Sequence, residues 1–393
     1  MRAARRALSA LSVALVVAGC GNASDEAAPA GSRVLGATAV ELPVELARSR
    51  VVLGIPVAGD RLVVLAHGVE EVEDSLWEID AATGEVQQVP DLPFDGWVGD
   101  AVVASTDRHT LLVATTCSRP PVAGDAGFEC DGDAATWVAL HDSKQNKWAT
   151  LPSPVESLPG IDELSDETAT LVANTWTAEG AATQISWSLD LLAATQSEPH
   201  SAATAARCLN DGGPSLRIEG PAGDQEAVLP GSEGELQRVS LPVAVEPMSV
   251  GLPSPLLCYS SGPYLAIPGT PASTPTGGSP ADQASAHPTS TTAASSSPDP
   301  RLTVYDLRHP DATPTKAGDT DSFTAFVSGE NFWALQDASG THVFRSSDGV
   351  SEPAGTFEHL GDPAGGLVTT DTTLLAFTRG PNGSLADLRR VNP

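Results

Sequence analysis

Residues 75–93 read SLWEIDAATGEVQQVPDLP. A short apolar run with Leu76, Trp77 and Ile79 meets the turn Ala81-Ala82-Thr83-Gly84, and a second run starts at Val86. That is a strand, a tight turn and a strand. The form recurs in TWVALHDSKQNKWATLPS (136–153), more loosely in RLTVYDLRHPDATPTKAG (301–318), and in THVFRSSDGVSEPAG (341–355). A second theme alternates with it, a turn followed by a wholly apolar strand: GDRLVVLA (59–66), DRHTLLVAT (107–115), DETATLVAN (166–174), SGPYLAIPG (261–269), GENFWALQD (329–337) and DTTLLAFT (371–378). Strong helical periodicity is absent, so the chain reads as all-β.

The spacing of the second theme narrows the architecture. The apolar runs start near 62, 111, 170, 264, 332 and 374, and PSLRIEG (214–220) fills the one double gap. Setting aside the Ser/Thr/Pro-rich segment 269–300 leaves about seven units of 36 to 59 residues, and periods near 40–50 residues with four strands each indicate propeller blades. A β-sandwich needs only about 100 residues. The last unit, from Gly365, lacks an outer strand, and VLGATAVELPVEL (34–46) can supply it. Closing the ring in that way removes exposed sheet edges. The expectation is a seven-bladed β-propeller over 34–393, closed by an N-terminal strand, with 269–300 as a disordered insertion too poor in apolar residues to fold.

Three local resemblances accompany this pattern. NKWATLPS (146–153) resembles the end of a kelch repeat. LWEIDAATGEV (76–86) is similar to repeats of quinoprotein-like propellers, and RSSDGV (345–350) resembles an Asp-box without its following Gly, Thr and Trp. Each covers one blade at most. Together they imply a propeller and select no single family.

The N-terminus, MRAARRALSALSVALVVAGC, joins three arginines to an apolar run of Ala7–Ala18 and ends in Val17-Ala18-Gly19-Cys20. The run is shorter than the roughly 20 residues of a membrane span and reads as a secretory signal over 1–19. Its last four residues resemble the lipobox of bacterial lipoproteins. The resemblance implies cleavage before Cys20 and lipid on its thiol, which would anchor the chain to the extracytoplasmic face of a cell membrane. GNASDEAAPAGSR (21–33) then reads as a flexible tether, so 20–33 is the lipidated cysteine and its leash.

Net charge is −29, and loss of the three signal arginines takes it to −32. Only three lysines occur, and no basic block exists to neutralise phosphates, which argues against nucleic-acid binding. With Cys20 given to lipid, Cys117, Cys130, Cys208 and Cys258 form an even set in an exported chain. Pairing near neighbours gives Cys117–Cys130 and Cys208–Cys258. No CxxC or paired histidine suggests a metal.

Catalytic constellations are missing from the sequence. There is no GxSxG elbow and no HExxH. His67, His109, His141, His200, His287, His309, His342 and His359 are scattered singly. Asp131 with Asp133, and Asp319 with Asp321, have calcium-like spacing without the further ligands of an EF-hand. The tryptophans 77, 97, 137, 148, 176, 187 and 333 fall mostly at strand positions, where blade packing is the default. The sequence therefore points to a lipid-anchored binding or scaffold module without cofactor or metal, recognising an envelope protein or glycan through propeller loops. Two alternatives stand beside it. One is a glycan-active hydrolase or lyase with channel carboxylates, and the other is a degenerate quinoprotein-like sensor.

Overall fold

The apolar runs that set the period are the second strands of seven antiparallel blades. Blade 1 comprises Arg50–Leu53, Arg61–His67, Ser75–Asp80 and Val86–Gln88. Blade 2 comprises Trp97–Ser105, His109–Cys117, Ala134–Asp142 and Lys147–Pro152. Blade 3 has Gly160–Leu164, Thr168–Trp176 and Ala182–Asp190, with an outer strand in two pieces, Thr195–Gln196 and His200–Ser201. Blade 4 has Ala206–Leu209, Arg217–Glu219, Glu226–Pro230 and Leu236–Ser240. Blade 5 has Leu256–Ser261, Tyr264–Pro268, Leu302–Asp306 and Thr315–Ala317. Blade 6 has Ala325–Ser328, Phe332–Asp337, Gly340–Ser347 and Val350–Phe357. Blade 7 has Gly366–Thr369, Leu374–Arg379 and Leu385–Val391 from the C-terminal part, and Ala37–Ala39 from the N-terminal part.

These strands come from a computed structural model. It describes residues 33–68, 73–119, 121–123, 128–130, 133–176, 182–201, 206–209, 216–221, 224–230, 236–241, 245, 256–268, 302–317, 325–337, 340–357, 366–380 and 383–392. The expected signal, Cys20, the tether up to Ser32 and the insertion 269–300 lie outside the described residues.

Outside blade 4, where the second strand is the short Arg217–Glu219, the second strands carry apolar runs because both of their faces are covered. Leu62 and Val64 pack toward blade 7, while Val63 and Leu65 pack toward blade 2. Leu111 and Val113 join the core shared with blade 3, and Leu112 and Ala114 join the one shared with blade 1. Phe332 and Trp333 divide the same way between blades 7 and 5. The core is thus a ring of inter-blade layers. Between blades 3 and 4 the described contact is ionic, Arg217 donating to Glu163.

The ring closes as expected, over a shorter strand. Ala37, Thr38 and Ala39 pair with Val391, Arg390 and Arg389. Just before it, Val34 makes a parallel bridge to Thr356 on the outer strand of blade 6. Gly355 permits that approach, since a β-carbon there would lie 2.3 Å from the Arg33 carbonyl oxygen. The rest of the expected 34–46 strand is not strand. Val44–Arg48 forms one helical turn that buries Leu46 completely between blades 7 and 1. Adjacent blades are also joined directly in two places. Ile55–Pro56 pairs in parallel with Ala104–Ser105, and Cys208 stands in parallel register with Leu256 across blades 4 and 5.

Candidate functional site

Antiparallel blades put two sets of connections on opposite faces of the ring. The turns after first and third strands form one face, here the turn face. The connections after second and fourth strands form the other, the loop face.

The turn face carries a belt of hydrogen bonds from blade to blade. Ser328 donates through its amide and hydroxyl to Ser261 (2.8 and 2.6 Å), and Thr369 donates to the Ser328 carbonyl (2.5 Å). The Gly59 amide donates to Asp371 (2.6 Å), while Thr370 and Thr372 donate to Asp60 (2.7 and 2.8 Å). The amide of Glu330 donates to the Asp371 carbonyl (2.8 Å). The two aspartates are pushed in opposite directions. Burial pushes Asp60 up, but the threonine hydrogen bonds outweigh it and hold its carboxyl below the usual value. Burial raises Asp371, and the nearby Asp60, Glu330 and Asp107 add to the rise against the Gly59 amide. The carboxylates of this belt are spent on holding blades together. Among the described residues no three His, Cys, Asp or Glu side chains are arranged to hold a metal.

The same face shows a repeated turn between third and fourth strands. Asp80, Asp142 and Asp190 each end a third strand and accept backbone amides from two or three residues ahead (2.8–3.1 Å). Four residues after each aspartate the backbone is left-handed, at Gly84 (φ 80°), Asn146 (φ 52°) and Ala194 (φ 52°). The quinoprotein-like stretch contains the first of these hairpins, and the kelch-like stretch starts at Asn146, the last residue of the second, and runs along the fourth strand Lys147–Pro152. RSSDGV forms the blade 6 hairpin, with Asp348 and Gly349 both at positive φ. Two of the three resemblances are therefore hairpin chemistry, and the kelch-like one is an outer strand.

The candidate residues go to separate places. Cys117 is bonded to Cys130 and Cys208 to Cys258, the pairs that spacing favours. The second pair clamps the innermost strands of blades 4 and 5. The first closes the loop after the second strand of blade 2, and within that loop Val122–Ala123 pairs with Phe128–Glu129. A β-carbon on Gly99 would lie 3.2 Å from the Cys117 sulfur, so the staple rests directly on the innermost strand.

His67, His109 and His141 are buried in blades 1 and 2 and not brought together into a site. His200 and His309 are exposed, and His342 lies beside Asp337. Trp187 and Trp333 are fully buried packing residues. Trp148 packs at a tilt against His141 (ring centroids 4.9 Å apart) and donates to the Pro90 carbonyl at the end of blade 1. Trp77 donates to Ser75, and Trp97 and Trp137 are half-buried. Asp133 is exposed, while Asp131, Asp319, Asp321, His287 and His359 lie outside the described residues.

An Asp–Arg–Tyr cluster lies at the seam of blades 5 and 6, with Tyr264 and Asp306 buried and Arg308 half-buried. Arg308 donates to Tyr264 (2.6 Å) and Asp306 (2.8 Å), and Ser346 donates to Asp306 (3.1 Å). Burial raises the Tyr264 phenol. The depression beside the cluster, lined by Tyr305, His309, Pro310 and Gly349, has room for about one water molecule.

No protein-family model and no curated protein matches the chain. Solved structures do. The β-propeller domain of the Trilobed protease from Pyrococcus furiosus is 8% identical with a TM-score of 0.42, over 86% of this chain and 95% of that one. Pyrococcus horikoshii acylaminoacyl peptidase is 10% identical with a TM-score of 0.44, over 88% of this chain and 53% of the peptidase, so this chain spans about half its length. BamB from Moraxella catarrhalis is 10% identical with a TM-score of 0.33, over 87% and 84%. The seven-blade assignment rests on the strand order and register above.

The signals for the belt and the hairpins were present in the sequence, as an Asp or Glu in the turn before five of the apolar runs and an Asp closing the third strands. Their role was not, because pairing across blades joins residues some 310 positions apart.

Proposed function

We propose that this protein is a lipid-anchored extracytoplasmic propeller that binds an envelope protein or glycan and acts as a scaffold. The observation that carries the reading is cysteine accounting. Four of five cysteines are paired with one another inside the propeller, so Cys20 has no disulfide partner left within the chain. It sits at the end of the lipobox-like Val17-Ala18-Gly19-Cys20. Two disulfides also suit an oxidising compartment.

Recognition belongs to the loop face. There the stapled ribbon after Cys117 leans on the innermost strand of blade 2, giving a rigid platform for contact. The turn face of blades 5, 6, 7 and 1, by contrast, has polar groups engaged in the belt. Membrane fractionation of cells expressing wild type or Cys20→Ala tests the anchor. Wild type should sediment with membranes and the variant should be soluble; a variant that remains membrane-bound overturns the reading. In the same cells, cross-linking to envelope partners should weaken when the ribbon is replaced by a short Gly/Ser loop.

A further inference from the structure

The seam of blades 3 and 4 is built unlike the others. Among the described residues, apolar layers fill the seams of blades 7 and 1, 1 and 2, 2 and 3, 4 and 5, 5 and 6, and 6 and 7, and none fills the seam of blades 3 and 4. The strand register gives the reason. In blade 3, Leu171, Ala173, Trp187 and Leu189 pack toward blade 2. The opposite face carries Thr170, Val172 and Asn174 beside Ser188, Ser186 and Gln184. In blade 4, Ile218, Ala227 and Leu229 pack toward blade 5. The opposite face carries Arg217 and Glu219 beside Val228 and Glu226, with Arg238 next to Val228. Two largely polar faces therefore meet. Val172 and Val228 are buried on them but belong to neither neighbouring apolar layer.

Polar groups on these faces find partners within their own blade. Ser186 shares a hydrogen bond with His200 (3.2 Å), and Thr170 donates to Glu163 (3.4 Å). Arg238 donates to Glu219 (2.7 Å). The described bond that crosses the seam is the half-buried ion pair of Arg217 and Glu163. Parting the two faces breaks that pair and leaves the bonds within each blade intact. Parting any other seam wets an apolar layer, which costs far more. Blade 4 is meanwhile held to blade 5. Cys208 is bonded to Cys258 and stands in parallel register with Leu256. Movement of blade 4 away from blade 3 thus carries blade 5 with it.

We propose that the seam of blades 3 and 4 is a lateral gate in the ring. Blades 4 and 5 swing as one body, and the Arg217–Glu163 pair is the latch. Opening gives access to the innermost strands from the side. Salt screens the half-buried latch and favours the open state. The gate stands whether or not Cys20 carries lipid.

The test is the rate at which a buried thiol in the full chain reacts with a water-soluble maleimide. Peptide mass mapping scores each cysteine separately, so Cys20 does not interfere. Val228→Cys puts a thiol in the gate, and Val239→Cys puts one on the opposite face of the same blade. Both positions are buried, at 2% and 5% exposure. The Val228→Cys protein should label roughly tenfold faster than the Val239→Cys protein. Adding Arg217→Gln, or Glu163→Gln from the other side of the seam, should raise the Val228→Cys rate roughly two- to fivefold and leave the Val239→Cys rate unchanged. Raising the chloride concentration should act as either substitution does, and should add nothing to it. Equal labelling at the two positions would mean that blade 4 unfolds as a whole or stays shut, and either overturns the gate. A Val228→Cys rate indifferent to both latch substitutions overturns it as well.

Discussion

Ala194 occupies the left-handed position that Gly84 and Asn146 fill in the preceding blades. Gly and Asn take this conformation at little expense, whereas alanine carries a β-carbon against the following carbonyl. Ala194→Gly should therefore stabilise the protein by about 1 kcal/mol, read as a higher midpoint in urea at unchanged slope. A lower midpoint would show that the turn relaxes around alanine. At this scale the sequence was partly legible. DAATG and DSKQN announce a turn by composition, but DLLAA (190–194) does not, because Leu191 serves the core between blades 2 and 3 instead. The hairpin is set by Asp190 and by its register within the blade.

Second strands were the most readable elements, since burial on both faces writes an unbroken apolar run. Innermost strands were nearly silent: most are short and mixed in polarity, Gly99 interrupts one, and Gly160 and Gly366 each open another. Two of these quiet strands carry the longer disulfide. Cys208–Cys258 spans 50 residues and Cys117–Cys130 spans 13. Chain-entropy reasoning assigns about 4 kcal/mol to the first and about 3 to the second. Replacing Cys208 and Cys258 together by Ala should thus destabilise the propeller more than replacing Cys117 and Cys130. Paired denaturation curves decide it, and the opposite ranking would mean that the loop of blade 2 is the tighter constraint. The short strand Ala37–Ala39 was foreseen from the missing edge of the last blade. The helix after it was not, because five residues are too few to show a helical period.

The whole molecule joins a charge of −29 to buried histidines in blades 1 and 2. Burial, with the nearby Arg108 charge, lowers the pKa of His109, and burial lowers that of His141. The unfolded chain then takes up protons near pH 6.5 that the native chain refuses. Stability is full above that value and falls as pH drops through it, so the melting temperature should be lower at pH 5.5 than at 7.5. His109→Gln should flatten the profile, and a melting temperature that rises on acidification would contradict the argument. Blade count was legible at this scale because period is a property of the entire chain. The binding surface was not, since loops carry no period. Ala37 pairs with Val391, so the first described strand must wait for nearly the last before the sheet around it is complete. Contacts of such separation form slowly. Until then blade 7 presents a bare edge, and the interval before clasping is when another chain can most readily pair with it.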